Sequence, residues 1–368
     1  MSIPLVLRRR LLLRSAAFLA AGATLVGVVS PLTPANDGAA SLAAGGIQLR
    51  KEARISMEKE RLSISVRNIT VEYEFRNNSK QDITTEVAFP IPEYSSTLDT
   101  FNAPPDFPDF RLWIDEQAIP PRTDVQALVK GVNKAEHLTH FGIDIVHFGG
   151  YEKYQEHAGE YQVLGLSEAA QRELLEAGLI SGPDKKPAWT VHVAHYWTIT
   201  FPAQKTVQVR HEYTPVTGQA QIPWDYFQSL ESQKSAVPSN DSARIAAALT
   251  RQACFDTRNE KRRARPAQRP NLQLSTRDLA TWGSTFVVID FVEYILTTAN
   301  TWKGPIKDFQ LEVDTSNPWG IQPLLVNFCW DGPVQCLDNH RLSARKRDFV
   351  PKNELSVFFV QPPEPAPN

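Results

Sequence analysis

Cysteine is scarce in this sequence. The 368 residues contain three, Cys254, Cys329 and Cys336, and no two have the CxxC spacing of a zinc or redox site. No G-x-S-x-G nucleophile elbow is present. No phosphate-cradling glycine loop is present either, since Gly149-Gly150 stands alone without a preceding strand. A membrane-spanning helix needs about 20 apolar residues, and the run 15–29 is shorter. Basic excess is lacking too, with 39 Lys and Arg against 41 Asp and Glu, which speaks against a dedicated nucleic-acid binder. No repeat of fixed period occurs.

The N terminus is informative. Arg8, Arg9, Arg10 and Arg14 precede the apolar run, Pro31 and Pro34 break it, and Thr33-Pro34-Ala35 puts small residues where a signal peptidase reads. Residues 1–35 are therefore expected to be a secretory signal cleaved before Asn36, by the general or the twin-arginine route, with no membrane span afterwards. The cleaved chain would be periplasmic or secreted. It loses four arginines and keeps 35 basic against 41 acidic residues, a charge of about −6. With 42% hydrophobic and 22% charged residues it can bury a core. In an oxidising compartment one cysteine pair can close.

Alternation of apolar and polar residues dominates the rest of the sequence. Ile69, Val71, Tyr73 and Phe75 alternate with polar residues, Asn77 to Lys80 are turn formers, and Ile83, Thr85, Val87 and Phe89 alternate again. The spacing predicts a hairpin pairing Phe75 with Ile83, Tyr73 with Thr85 and Val71 with Val87. A second hairpin is predicted over 195–213, turning at Pro202-Ala203-Gln204, with Trp197 beside Arg210 and His195 beside Glu212. Further strands are predicted at 110–115, 285–296, 309–314, 324–330, 341–349 and 354–360. One helix has Ser167 as its cap, with Leu174, Leu175 and Leu179 as its apolar face, and another covers 242–254.

The expected fold class is mainly β, an antiparallel sandwich-like set of sheets with two helical insertions. The organisation read from these patterns is a β-sandwich-like region over 36–123, a mixed helical and loop insertion over 124–188, a β-rich region over 189–360 and a Pro-rich disordered tail over 361–368. The basic run at 261–265 reads as a solvated linker.

Several stretches together, ANDGAASLAAGGIQL, VEYEFRNNSKQDITTEVAFPIPEY, YWTITFPAQKTVQVRHEY, VEYILTTANTWKGPIKDFQLEVD and FCWDG, resemble the bacterial secreted proteins of the domain of unknown function 4424 family. The resemblance implies export and a β-leaning fold, and implies no reaction. It also implies a disulfide between Cys254 and Cys329, with Cys336 additional. The segment around residues 71–96 is similar to the start of the vault/inter-α-trypsin inhibitor type domain, itself a β-sandwich.

Candidate chemistry is sparse. His137 and His140 share a helical face, a spacing that can hold a divalent ion, with Asp144, Glu152 and Glu156 nearby. They are candidates by spacing alone, and no metal or other cofactor is expected. His192 and His195 fall on opposite strand faces. His195 beside Glu212 would suit a base and its orienter, although an ordinary cross-strand pair is the simpler reading. Trp197 over Arg210 reads as a cation–π contact. Trp302, in the turn after Asn300, is a candidate contact residue or a plug over the sandwich edge. Asp106, Asp109, Asp115 and Glu116 form a carboxylate-rich loop. The favoured function is a non-enzymatic binding or structural module of the cell envelope, its partner an envelope protein or glycan, with no nucleic-acid partner. The alternative is an envelope hydrolase with a dispersed His/carboxylate or metal site.

Overall fold

The computed structural model describes residues 38–43, 46–95, 109–147, 159–215, 217–223, 286–320 and 322–361. The leader, the helix predicted at 242–254, the basic run, Cys254 and the tail beyond 361 lie outside the described residues.

In chain order the strands are β1 Gly38–Ala43, β2 Gly46–Leu49, β3 Ile55–Ile64, β4 Ile69–Asn77, β5 Ile83–Pro90, β6 Tyr94–Ser95 and β7 Arg111–Ile114. Next come β8 Gln117–Ile119, β9 Arg122–Val129, β10 Val132–Asn133, helices α1 Ala135–His140, α2 Gly159–Gly165 and α3 Glu168–Glu176, then β11 Ile180–Ser181 and β12 Lys186–Pro187. The long strands β13 Thr190–Phe201 and β14 Thr206–Tyr213 precede β15 Thr217–Pro223 and β16 Phe286–Tyr294. The last strands are β17 Ile306–Asp314, β18 Leu325–Phe328, β19 Val334–Cys336, β20 Arg341–Phe349 and β21 Leu355–Val360.

These strands build three main sheets, so the protein is mainly β, as the alternation predicts. One eight-stranded sheet has the order β19-β20-β17-β3-β4-β14-β7-β8. A second sheet runs β10-β9-β13-β5-β1-β2 with β6 added to β13, and a third runs β15-β16-β21-β18. Pairing is antiparallel except between β3 and β17.

Both predicted hairpins are corrected by this topology. β4 does not pair with β5, nor β13 with β14. Instead β4 pairs with β14, placing Phe75 beside Val207 and Tyr73 beside Val209. β5 pairs with β13, placing Ile83 beside Phe201 and Val87 beside Trp197. Each turn is an arch that carries the chain from one sheet to the other. Alternation cannot separate the two cases, because a hairpin and an arch both send every second side chain into the same interior. Asn77, fully buried, ties the arches together: its side-chain amide donates to Gln81 O and Phe201 O, both at 2.8 Å. The amide of Ala203 donates to the Asp82 carboxylate at 2.8 Å.

The interior faces of all three sheets merge in one core that includes Phe75, Val87, Phe89, Trp197, Phe201, Tyr294, Leu311 and Phe359. Trp302 belongs to it. The tryptophan is 1% exposed and packs on Phe75 at 4.9 Å and Phe201 at 6.1 Å between ring centroids. It is the plug rather than a surface contact residue, held there by the 3-10 turn Thr297–Thr301.

A second, smaller core joins the N-terminal half of β13, through Val191 and Val193, to the helical insertion. Ser167 caps α3, its hydroxyl accepting from the Ala170 amide at 3.3 Å. Leu174 is buried there, but Leu175 is 51% exposed and Leu179 is buried beyond the end of α3, so the predicted apolar face is narrower than its three leucines. His195 occupies the seam where β13 leaves one core for the other.

Candidate functional site

The outer face of the eight-stranded sheet is built from the polar halves of the same alternating strands. One cross-strand rung carries Arg61 on β3, Glu72 on β4, Arg210 on β14 and Trp113 on β7. The β7–β8 turn is a tight two-residue connection in which Asp115 and Glu116 both have positive φ, 45° and 67°. Asp115 accepts from the Gln208 amide at 2.8 Å, which fixes β7 against β14 and sets the position of Trp113.

The result is a groove of about 430 Å³ whose lining includes Lys59, Arg61, Glu72, Glu74, Trp113, Glu116, Gln208 and Arg210. That size falls within the range of small-molecule sites, about 300–1,000 Å³. Most of its charges are paired. Lys59 meets Glu74 at 2.6 Å and Arg210 meets Glu212 at 3.0 Å, while Arg61 and Glu72 stand 3.7 Å apart. The Arg210 guanidinium lies 4.1 Å from the Trp113 ring centre, within cation–π range.

The partner predicted for Arg210 is therefore corrected. Trp197 is 2% exposed and points into the core, where its ring meets His211 edge-on at 5.0 Å. Arg210 points the other way, as successive strand positions must. Trp113 had only the strand-like run Phe110 to Asp115 to mark it; its meeting with Arg210 depends on a register that pairs residues nearly 100 positions apart.

His195 and Glu212 are likewise separated. His195 is 1% exposed, stacks on Phe110 at 4.1 Å and lies 3.1 Å from the Thr123 hydroxyl. Burial pushes its pKa down to about 3. Glu212 faces outward between Arg111 and Arg210. His192, on the opposite face of β13, sits 3.3 Å from Glu93, as the odd spacing predicts.

His211 is fully buried, with Tyr73, Phe89, Trp197 and Phe110 around its ring. Burial, and after it the neighbouring His195, holds its pKa well below the usual histidine value. Close by, the Tyr73 and Tyr294 hydroxyls are 2.9 Å apart and Tyr294 donates to buried Glu60 at 3.3 Å. Burial raises the Tyr294 pKa well above the ordinary phenol value.

His137 and His140 lie in the short helix α1, and His137 pairs with Glu173 of α3 at 3.2 Å. Among the described residues no group of three or more metal-ligating side chains converges. Glu152 and Glu156 lie outside them, as does Asp106. Asp109 and Asp115 are engaged in holding backbone amides. The spacing Ser343-x-x-Lys346 falls on β20, where it places the two on opposite faces; Lys346 turns over Trp330 at 4.3 Å. Cys336 is a free, exposed thiol.

Residues 35–358 match the family described as Domain of unknown function (DUF4424). The chain is a DUF4424 protein. No curated protein matches it. Among solved structures, a crystal structure from Legionella pneumophila subsp. pneumophila str. Philadelphia 1, provisionally named a nutrient binding protein, aligns at 12% identity over 89% of this chain and 70% of that one. Its TM-score of 0.36 carries no argument for this DUF4424 chain. No helix among the described residues is long and apolar enough to cross a membrane.

Proposed function

We propose that this DUF4424 protein is an exported, non-enzymatic binding module of the cell envelope, and that the groove around Trp113 and Arg210 is its contact surface. The observation that carries the reading is the Arg210–Trp113 stack in the lining of a concave site. Tryptophan and arginine dominate binding energy at interfaces. An arginine already held against a ring loses little side-chain freedom when a partner arrives. The hydrolase alternative finds no support in its proposed pair, since His195 and Glu212 face opposite sides of their sheets.

The test is capture from the envelope fraction of the native host, using the chain recovered there as bait. Its N terminus is expected at Asn36 or within a few residues. A partner retained by the native protein and lost with Arg210→Glu is the expected result. Retention unchanged by that substitution, or recovery of the intact chain from the cytoplasm only, overturns the reading.

A further inference from the structure

Resting on that assignment of the groove, we infer that its ligand is an uncharged, hydroxyl-rich oligosaccharide. Charge points there first. Lys59, Arg61 and Arg210 line one concave surface together with Glu72, Glu74 and Glu116, and Lys59 is paired with Glu74 and Arg210 with Glu212. A polyanion would meet the carboxylates and a polycation the guanidinium groups, so either would have to break pairs already formed. A sugar hydroxyl donates and accepts at once. It can therefore take a hydrogen bond from a guanidinium and give one to the neighbouring carboxylate without breaking either.

Geometry agrees. Arg61 and Glu72 stand 3.7 Å apart, beyond hydrogen-bond length, and both are about half exposed. Adjacent hydroxyls on one sugar ring can bridge such a pair. On the same rung, Arg210 is immobilised over Trp113, and Gln208 adds an amide to the lining. The Arg210 guanidinium is thus oriented before a ligand arrives.

The obvious competitor, an extended peptide, binds by adding to a sheet edge through its backbone. The groove lies instead on a sheet face, and β3, β4 and β14 are each paired on both sides. Only side chains are offered there, and apart from Lys59 the polar ones are planar groups that suit hydroxyl recognition.

The experiment is a panel of neutral tetrasaccharides (chitotetraose, maltotetraose, cellotetraose and mannotetraose) beside tetragalacturonate and a heparin tetrasaccharide. Binding is measured by titration calorimetry at about 50 and about 500 mM salt, on either side of the physiological screening range. At least one neutral sugar is expected to bind with an affinity that salt leaves unchanged, because no net charge is neutralised. Arg61→Gln and Arg210→Gln, both on an exposed face, are each expected to weaken it at least tenfold with an unchanged circular dichroism spectrum. Glu72→Gln is expected to weaken neutral binding and favour tetragalacturonate.

Failure of every neutral sugar to bind overturns the inference, as does tighter, salt-sensitive binding of an acidic one in the native protein. If no neutral sugar binds while an envelope polypeptide is still captured in an Arg210-dependent way, the binding-module reading survives and only the glycan falls. Loss of both removes both.

Discussion

Acidification from pH 6.5 to 5.0 is expected to cost this protein about 3 kcal/mol of folding stability through two buried histidines. An unfolded histidine titrates near 6.5. In the fold, His195 is held at about 3 and His211 well below its ordinary value, both by burial. As pH falls below 6.5 the unfolded chain therefore binds protons that the folded chain refuses, and stability falls with it. Each histidine contributes about 1.4 kcal/mol per pH unit well below 6.5, or about 1.6 kcal/mol integrated from 6.5 to 5.0, where the curve starts from a half-protonated unfolded state. Two of them remove a large part of a typical 5–15 kcal/mol.

The groups facing His211 are His195, Tyr73 and, through Phe89 and Phe110, the Tyr213 and Tyr294 side of the core, with Glu60 beyond Tyr294. An opposing proton comes from Glu293, whose pKa burial raises above the usual carboxylate value. It favours the fold as pH falls toward the ordinary carboxylate range, and offsets at most one of the two histidines. Urea unfolding followed by tryptophan fluorescence at several pH values across that window measures the slope. His211→Phe, which keeps a ring within the aromatic surround, is expected to remove about half of the histidine loss. An unchanged slope in that variant would mean that His211 takes up its proton in the native fold, so that burial does not exclude it.

Two further outcomes concern the packing and the covalent chemistry. Trp302→Ala empties a site between Phe75 and Phe201 and is expected to cost about 3–5 kcal/mol in urea unfolding; a loss under about 1 kcal/mol would return Trp302 to the surface. Cys254–Cys329 remains our proposal for the disulfide, closing a loop of about 75 residues worth about 4 kcal/mol in the chain-entropy model. Non-reducing peptide mapping should join those two and leave Cys336 to alkylation, and a Cys329–Cys336 peptide would sink it.

About half of the described strands were legible, because period-two alternation is a property of neighbouring residues; Ile55–Ile64 and Arg122–Val129, both long, are not among the predicted strands. Arg341–Phe349 coincides with its predicted strand, and Phe286–Tyr294 and Leu355–Val360 fall within theirs. What alternation does not encode is the partner. Phe75 and Ile83 do share an interior, yet they reach it from opposite sheets, and only long-range pairing decides this. The site suffered from the same blindness. Arg210 was legible as a polar strand residue, but whether its ring was Trp197 or Trp113 depended on which way β14 faced. The sequence leaves Trp302 between contact residue and plug, because a loop position favours exposure while burial favours the core; its packing on Phe75 and Phe201 decides for the plug.

The parallel pairing of β3 with β17 sets a condition on how the molecule can assemble. Glu60 lies beside Phe309 in that ladder, and the two arches send β5 and β14 to sheets other than those of the strands before them, so the local β3–β4 pair must wait for distant partners. Such a chain must close long loops before the contacts that reward them exist, and a high contact order makes folding slow. A nascent chain that has not reached residue 309 has β3 with one flank open, an exposed ladder able to pair with the wrong strand. Premature termination anywhere before β17 therefore leaves not a smaller folded protein but an unfinished sheet.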